Sequence, residues 1–238
     1  MERIAKVAAL AAVVSMMLAG WANAADQTIL GRSLIVKNPG SPSKRKVEGA
    51  AKELASSATI VGNPTLHGSA GGAILGSAGG AILGSAGGAV LTVIADGDHP
   101  TTQFFALKQG NSSTGKPFWR ASGGAGTGFK YKDPDGEQGP VKVVLIKKTV
   151  SGVFSIKAVL RGKNGTLNVV PPNLGTDGFI TLFLAQGDRY CVKYGADGNV
   201  INDGDRLFKV RRPSIEGCPG SPSSPSGAFV DGPDDPSD

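Results

Sequence analysis

Few side chains in this sequence suit covalent or acid–base chemistry. Its 238 residues include two histidines, His67 and His99, and two cysteines, Cys191 and Cys218. A serine nucleophile needs a histidine to take its proton and a context such as G-x-S-x-G to present it. His67 instead precedes a glycine-rich repeat, and His99 lies in the turn Asp96-Gly97-Asp98-His99-Pro100. Tetrahedral zinc needs three or four ligands, and two histidines do not supply them once the cysteines pair with each other. No G-x-x-x-x-G-K-[ST] phosphate loop occurs, and no helix follows the glycine cluster Gly123–Gly128 to hold a phosphate at its N-terminus. The sequence thus offers no catalytic and no cofactor-binding residues.

Carboxylates crowd into turns at Asp133-Pro134-Asp135-Gly136-Glu137, Asp96-Gly97-Asp98 and Asn202-Asp203-Gly204-Asp205. Clustered oxygens are what calcium takes, so Asp133, Asp135 and Glu137 are the candidate metal ligands. None of these turns follows D-x-[DN]-x-[DN]-G-x5-E in full. Pro134 and the Asp-Gly steps are equally the residues of plain turns. Two carboxylates from separate strands could form a glycosidase pair. Sugar clefts, however, offer aromatic platforms, and the candidates here are Phe118, Trp119, Tyr131, Tyr190 and Tyr194. Trp119 is expected to cap a sheet edge.

The N-terminus reads as an export signal. Arg3 and Lys6 precede the largely apolar run Val7–Leu18, and Ala22-Asn23-Ala24 is an A-x-A cleavage site, so residues 1–24 form a signal helix and the mature chain begins at Ala25. The run is short for a membrane span. The expected location is secreted or periplasmic, where the surroundings oxidise thiols. A Cys191–Cys218 disulfide is therefore expected, contributing about 3 kcal/mol through loop closure. A redox-active pair would need C-x-x-C spacing, which is absent.

The formal net charge is +6, with +1 on the signal segment and −4 on residues 219–238, which leaves +9 on residues 25–218. The basic residues include Lys130, Lys132, Lys142, Lys147, Lys148, Lys157, Lys163, Lys193, Lys209, Arg211 and Arg212. Such a domain suits anionic envelope or glycan ligands. Nucleic acid would meet the same charge, but export and the lack of a stacking motif oppose it. The plainer account is lysines solvated on strand faces.

These residues need elements to position them. Thirty-six glycines and 15 prolines work against helices. Aromatics at 6% leave a core that is chiefly aliphatic. In Val153–Leu160 the residues Phe154, Ile156, Ala158 and Leu160 alternate with Ser155 and Lys157, the period of a half-buried strand. Similar runs occur at 28–36, 45–52, 89–95, 103–107, 128–132, 141–148, 167–170, 179–184, 190–194 and 207–211, with turns between, including 195–205. Residues 110–126 read as a long loop. About ten strands at these spacings predict an all-β fold, an antiparallel β-sandwich or barrel-like domain over 25–218. The tail 219–238, rich in Pro, Ser, Gly and Asp, is expected to be disordered.

Within this domain GSAGGAIL occurs at 68–75 and 76–83, and GSAGGAVL at 84–91. Glycines four apart suit a membrane glycine zipper over residues 68–95. The low hydrophobicity and missing flanking anchors oppose it. An even period also suits stacked β-structure. The simplest account is a duplicated loop, because surface insertions cost little.

The segments GFKYKD (Gly128–Asp133), GPVKVVLIKK (Gly139–Lys148), SGVFSIKAVLRGKNG (Ser151–Gly165), VVPPNLGTDGF (Val169–Phe179), GDRYCVKYG (Gly187–Gly195) and LFKVRRPSIEGC (Leu207–Cys218) together resemble a β-rich module of predicted exported bacterial proteins. The resemblance implies export and domain identity; the module has no assigned activity. The expectation is an exported, non-catalytic β domain with a structural or binding role at the envelope or outside the cell. A hydrolase built on scattered carboxylates and a membrane protein acting through the glycine repeat are the alternatives.

Overall fold

A computed structural model describes residues 25–66, 75–76, 80–81, 87–124, 126–185 and 187–213. The signal segment, the acidic tail, His67 and Cys218 lie outside the described residues. The chain is all-β, with strands β1 (Asp26–Thr28), β2 (Gly31–Lys37), β3 (Lys46–Glu53), β4 (Leu75–Gly76), β5 (Gly80–Ala81), β6 (Ala89–Gly97), β7 (Thr101–Leu107), β8 (Trp119–Ala121), β9 (Gly128–Lys132), β10 (Val141–Lys148), β11 (Phe154–Arg161), β12 (Gly175–Leu184), β13 (Arg189–Asp203) and β14 (Leu207–Pro213). Two 3₁₀ turns, Pro42–Lys44 and Gly162–Asn164, interrupt them.

One hydrogen-bonded path runs β7-β6-β12-β13-β14-β2-β3-β11-β10-β9-β8, and β1 adds to β13 in parallel. The path folds into two layers, of five and eight strands, that share the long strand β13. The bend falls where the β13–β14 register breaks between Tyr194 and Asn199. The Gly and Asp residues here serve a bulged corner, not the turn expected over 195–205.

The layers meet through inward side chains. The Phe154 ring on β11 stacks on Tyr190 of β13, centroids 5.7 Å apart. Leu34, Val47, Ile146, Ile180, Leu182 and Val210 fill the interior with no solvent exposure above 1%. Aromatics are few but concentrated here, because Tyr131, Tyr190, Tyr194, Phe154 and Phe208 are all buried. At Gly49 on β3 an added Cβ would collide with Ile180 Cδ1 across the sandwich, and at Gly178 on β12 it would lie 2.5 Å from Leu34 Cδ2. Both positions let the layers touch at backbone distance.

The two ends of the path also meet. The indole Nε1 of Trp119 on β8 donates to Leu107 O on β7 at 3.0 Å. Trp119 thus lies in a strand within the expected loop 110–126, and it joins two edges. The expected strand 167–170 is instead an extended segment bound to the β7 edge by side chains. Gln103 Nε2 donates to Thr166 O, Asn168 N to Gln103 Oε1, and Thr101 Oγ1 to Val170 O.

The end of the octapeptide block is built into the sandwich. Ala89, Val90 and Leu91 open β6 and are buried, so the last seven residues of the 68–95 stretch lie in a core strand. Gly88 has φ +90°, which favours glycine, and an added Cβ would collide with Leu107 O. Gly88 N donates to Pro64 O at 3.1 Å. The chain therefore returns to the place it left. Farther out, β4 and β5 pair only with each other. Deleting residues 68–83 should leave the third copy in place and keep the fold. The shorter closure should change stability by no more than about 1–1.5 kcal/mol. Urea unfolding of the deleted and full chains checks this; a loss of several kcal/mol would show that the first two copies belong to the core.

Candidate functional site

Three places gather chemistry-bearing residues. The first is the turn after β9. Asp133 is 1% exposed. Its Oδ1 accepts Gly136 N and Glu137 N at 2.9 and 3.0 Å, and its Oδ2 accepts Gln138 N at 2.7 Å. A carboxylate that accepts three backbone N–H groups shapes a turn. The Glu137 carboxylate accepts Ser113 N at 2.8 and 3.0 Å and Ser113 Oγ at 2.8 Å, tying down the 110–117 loop. Asp135 is exposed. The oxygens of Asp133 and Glu137 are thus turned toward internal donors, and no group of three His, Cys, Asp or Glu is gathered among the described residues.

The second place is a shallow, open depression of about 640 Å³ at one end of the sheet. Asp98, His99, Thr101, Val170, Asn173 and Asp205 help line it. The β6–β7 turn, the 170–174 segment and the β13–β14 turn supply these residues. His99 N donates to Pro172 O at 2.9 Å. Asn173 and Leu174 hold positive φ of 46° and 67° beside it, a strained conformation for residues with a Cβ. Asp98, His99 and Asp205 are all exposed. A general acid needs a fixed position and a desolvated surrounding, and this rim provides neither.

The third place is the outer face of the larger layer. Inward residues such as Phe129, Val144, Ile156, Val47, Leu34 and Phe208 are buried, so their strand neighbours face solvent. Cross-strand register sets these neighbours in transverse rows. One row holds Arg120, Lys130, Lys157 and Arg211, and the next Lys132 and Lys209. A third holds Lys147 and Lys52, and a fourth Arg161, Lys46 and Lys37. On the seven strands from β8 to β14 in the path the carboxylate in these rows is Glu48, 2.5 Å from Lys46 and 3.3 Å from Arg161, and on β13 the Lys37 row ends at Asp203, opposite Leu207. The uncharged positions between them include Leu145, Val143, Val159, Ile35, Ala50, Ser33 and Ser155, with no aromatic ring.

Six of the cations expected from sequence share this face: Lys130, Lys132, Lys147, Lys157, Lys209 and Arg211. Others do not. Lys148 Nζ donates to Ala58 O at 2.6 Å, and Lys193 lies over the Phe179 ring of the other layer, 5.7 Å from its centre. Register adds Lys37, Lys46, Lys52, Arg120 and Arg161. The alternation of Lys37, Lys46 and Lys52 with Val36, Val47 and Ala51 was the available signal, but strand order alone puts them side by side.

No known protein family matches the chain, and no curated protein and no solved structure is detectably similar to it.

The chain's three tyrosines are all buried. Burial pushes the Tyr190 phenol up to about 12, and Asp188 nearby adds to this while a hydrogen bond to Val61 works against it. Burial, then Asp133, raises Tyr131; burial alone raises Tyr194. In the unfolded chain each ionises near about pH 10. The native chain keeps them neutral, so this stability is complete below about pH 10 and falls as pH rises through the native values, by about 1.4 kcal/mol per phenol per pH unit. Phenolate absorbance should therefore appear in one cooperative step, together with loss of the β circular-dichroism signal. A tyrosine titrating alone near its ordinary value in the folded chain would contradict the packing described.

Proposed function

We propose that this chain is an exported β-sandwich domain that works by binding, and that it holds to anionic surfaces of the cell envelope through the basic outer face of its larger layer. The observation that carries the reading is eleven cations against one carboxylate in the outward rows of seven adjacent strands, with Asp203 of β13 at the end of the Lys37 row beside them. Neighbouring strands lie about 4.8 Å apart, so the face is about 29 Å wide, with rows about 7 Å apart along the strands. That two-dimensional spread suits a plane of charged headgroups. A linear polymer following one row would reach only part of it, and the absence of aromatic platforms disfavours sugar rings and bases. Lys130 stands opposite Leu145, and Lys132 opposite Val143, in register, and a lysine stem can cover such apolar neighbours while its ammonium group stays in water. The depression beside His99 is lined by exposed Asp98 and Asp205, and among the described residues no side-chain hydrogen bond holds either.

The test is flotation of the exported chain with vesicles containing phosphatidylglycerol, set against phosphatidylcholine alone. Binding is expected only with the anionic lipid and is expected to fall steeply with salt. Each Lys or Arg near an anionic surface contributes about 1 kcal/mol, so K130E/K157E should weaken binding by at least roughly 30-fold. K108E/K116E changes net charge equally on exposed residues elsewhere and should matter much less. Equal losses from both pairs would leave only non-specific charge. Binding to a soluble acidic polysaccharide through the same residues, without vesicle binding, would make the ligand a glycan.

The same reading includes the Cys191–Cys218 disulfide. Cys191 is fully buried on β13, and the closed loop would tie the segment after β14 to that strand. Peptide mapping of the exported chain without reduction should recover the two cysteines as one linked pair; free thiols at both would remove this element.

A further inference from the structure

Asp188 is a buried carboxylate that the binding face does not use. It precedes β13, is 8% exposed, and takes part in none of the three ion pairs among the described residues. Its Oδ1 accepts the backbone nitrogen of Ala25 at 3.0 Å, and its Oδ2 accepts Gln27 Nε2. The adjacent cation, Arg189, is engaged by Asp26, with Nε 2.6 Å from Oδ1. Amide donors alone leave a buried negative charge uncompensated, which is costly.

The strand that brings Ala25 here is short. β1 has three residues, lies parallel to β13 from Asp26 opposite Arg189 to Thr28 opposite Cys191, and is largely exposed. Ala25 O accepts Arg189 N at 3.0 Å. Gln27 Oε1 accepts Thr59 N at 2.8 Å. Ala25 is also the residue that follows the A-x-A signal Ala22-Asn23-Ala24.

We propose that cleavage after Ala24 frees the Ala25 nitrogen as an α-ammonium that forms an ion pair with Asp188, so that maturation itself fastens β1 to β13. The proposal rests on residues 1–24 being an export signal. A protease of the signal-peptidase class would hydrolyse the Ala24–Ala25 peptide bond with water. The hydroxyl goes to the Ala24 carbonyl carbon and a hydrogen to the Ala25 nitrogen, which takes a further proton from solvent at neutral pH. Before cleavage that nitrogen offers one neutral N–H; afterwards it offers three N–H donors and a positive charge. The precursor and the mature chain then differ in the charge that faces Asp188.

N-terminal sequencing of the exported chain should read from Ala25. That chain should be more stable in urea than the same chain with one extra N-terminal glycine, by about tenfold in the folding constant, as for a hydrogen bond between charged groups. Asp188→Asn should abolish the difference. A second readout, independent of that variant, is a nitrogen-15 titration of the Ala25 amine. Asp26 and Arg189 are paired and burial pushes the Tyr190 phenol up to about 12, so the amine is the group here expected to change charge near pH 8. Held by Asp188 it should titrate above the usual value of about 8, with the extra stability complete below pH 8 and lost as pH rises through the raised value. An amine titrating at its usual value, or equal stability of the two chains, would overturn the ion pair while leaving export intact. A mature N-terminus at another cleavage point would overturn the ion pair alone, and an exported-fraction chain that keeps residues 1–24 would overturn both.

Discussion

Two sheets can approach at backbone distance only where one of the facing residues has no side chain. Gly49 on β3, opposite Ile180, and Gly178 on β12, opposite Leu34, provide that approach. They fix which side of each strand points inward, because the strand period is two residues. A slip of one residue on β11 would bury Lys157 and expose Phe154, Ile156, Ala158 and Leu160. The basic face is therefore a consequence of the packing on the opposite side of the same strands. Its lysines face water because Phe129, Val144, Ile156 and Val47 are held inside.

The strands with clean alternation were legible in the sequence. The expected runs 128–132 and 141–148 coincide with β9 and β10, and 153–160 with β11 to within one residue. What escaped was whatever depends on partners distant in the chain. Trp119–Ala121 has no periodicity of its own and becomes a strand because Tyr131 lies opposite Trp119 and Leu107 O takes the indole proton. Leu167–Val170 looks like a strand but pairs through the side chains of Thr101 and Gln103. The residues at 195–198 have turn composition, yet the chain needs that freedom to pass from one layer to the other. The members of the candidate binding face were visible singly. Their convergence was not, because it follows from the order β8-β9-β10-β11-β3-β2-β14.

The same closures bear on which chemistry the fold allows. Trp119 joins the β7 and β8 edges, and the 166–170 segment lies along β7. A sandwich sealed along these edges offers surface more readily than a deep cleft. Its depression beside His99 lies where turns, rather than strands, supply the lining. Its carboxylates, Asp98 and Asp205, sit exposed at turn tips. Recognition by an outer face asks less of the interior, since charge and area suffice.

Charge is also segregated. The carboxylates Asp96, Asp98, Asp177, Asp203 and Asp205 belong to turns and strand ends, and Asp26 and Asp188 flank β1 on the smaller layer. The outward rows of the seven strands from β8 to β14 in the path hold one, Glu48. It bridges Lys46 and Arg161, whose side chains remain 24% and 34% accessible, so the pairing is worth little to stability. Left unpaired, the other cations of that face repel one another and work slightly against folding. An anionic surface would relieve that repulsion at the same time as it gained the attraction. Such a face is held in shape by the aliphatic interior beneath it and completed electrostatically only from outside.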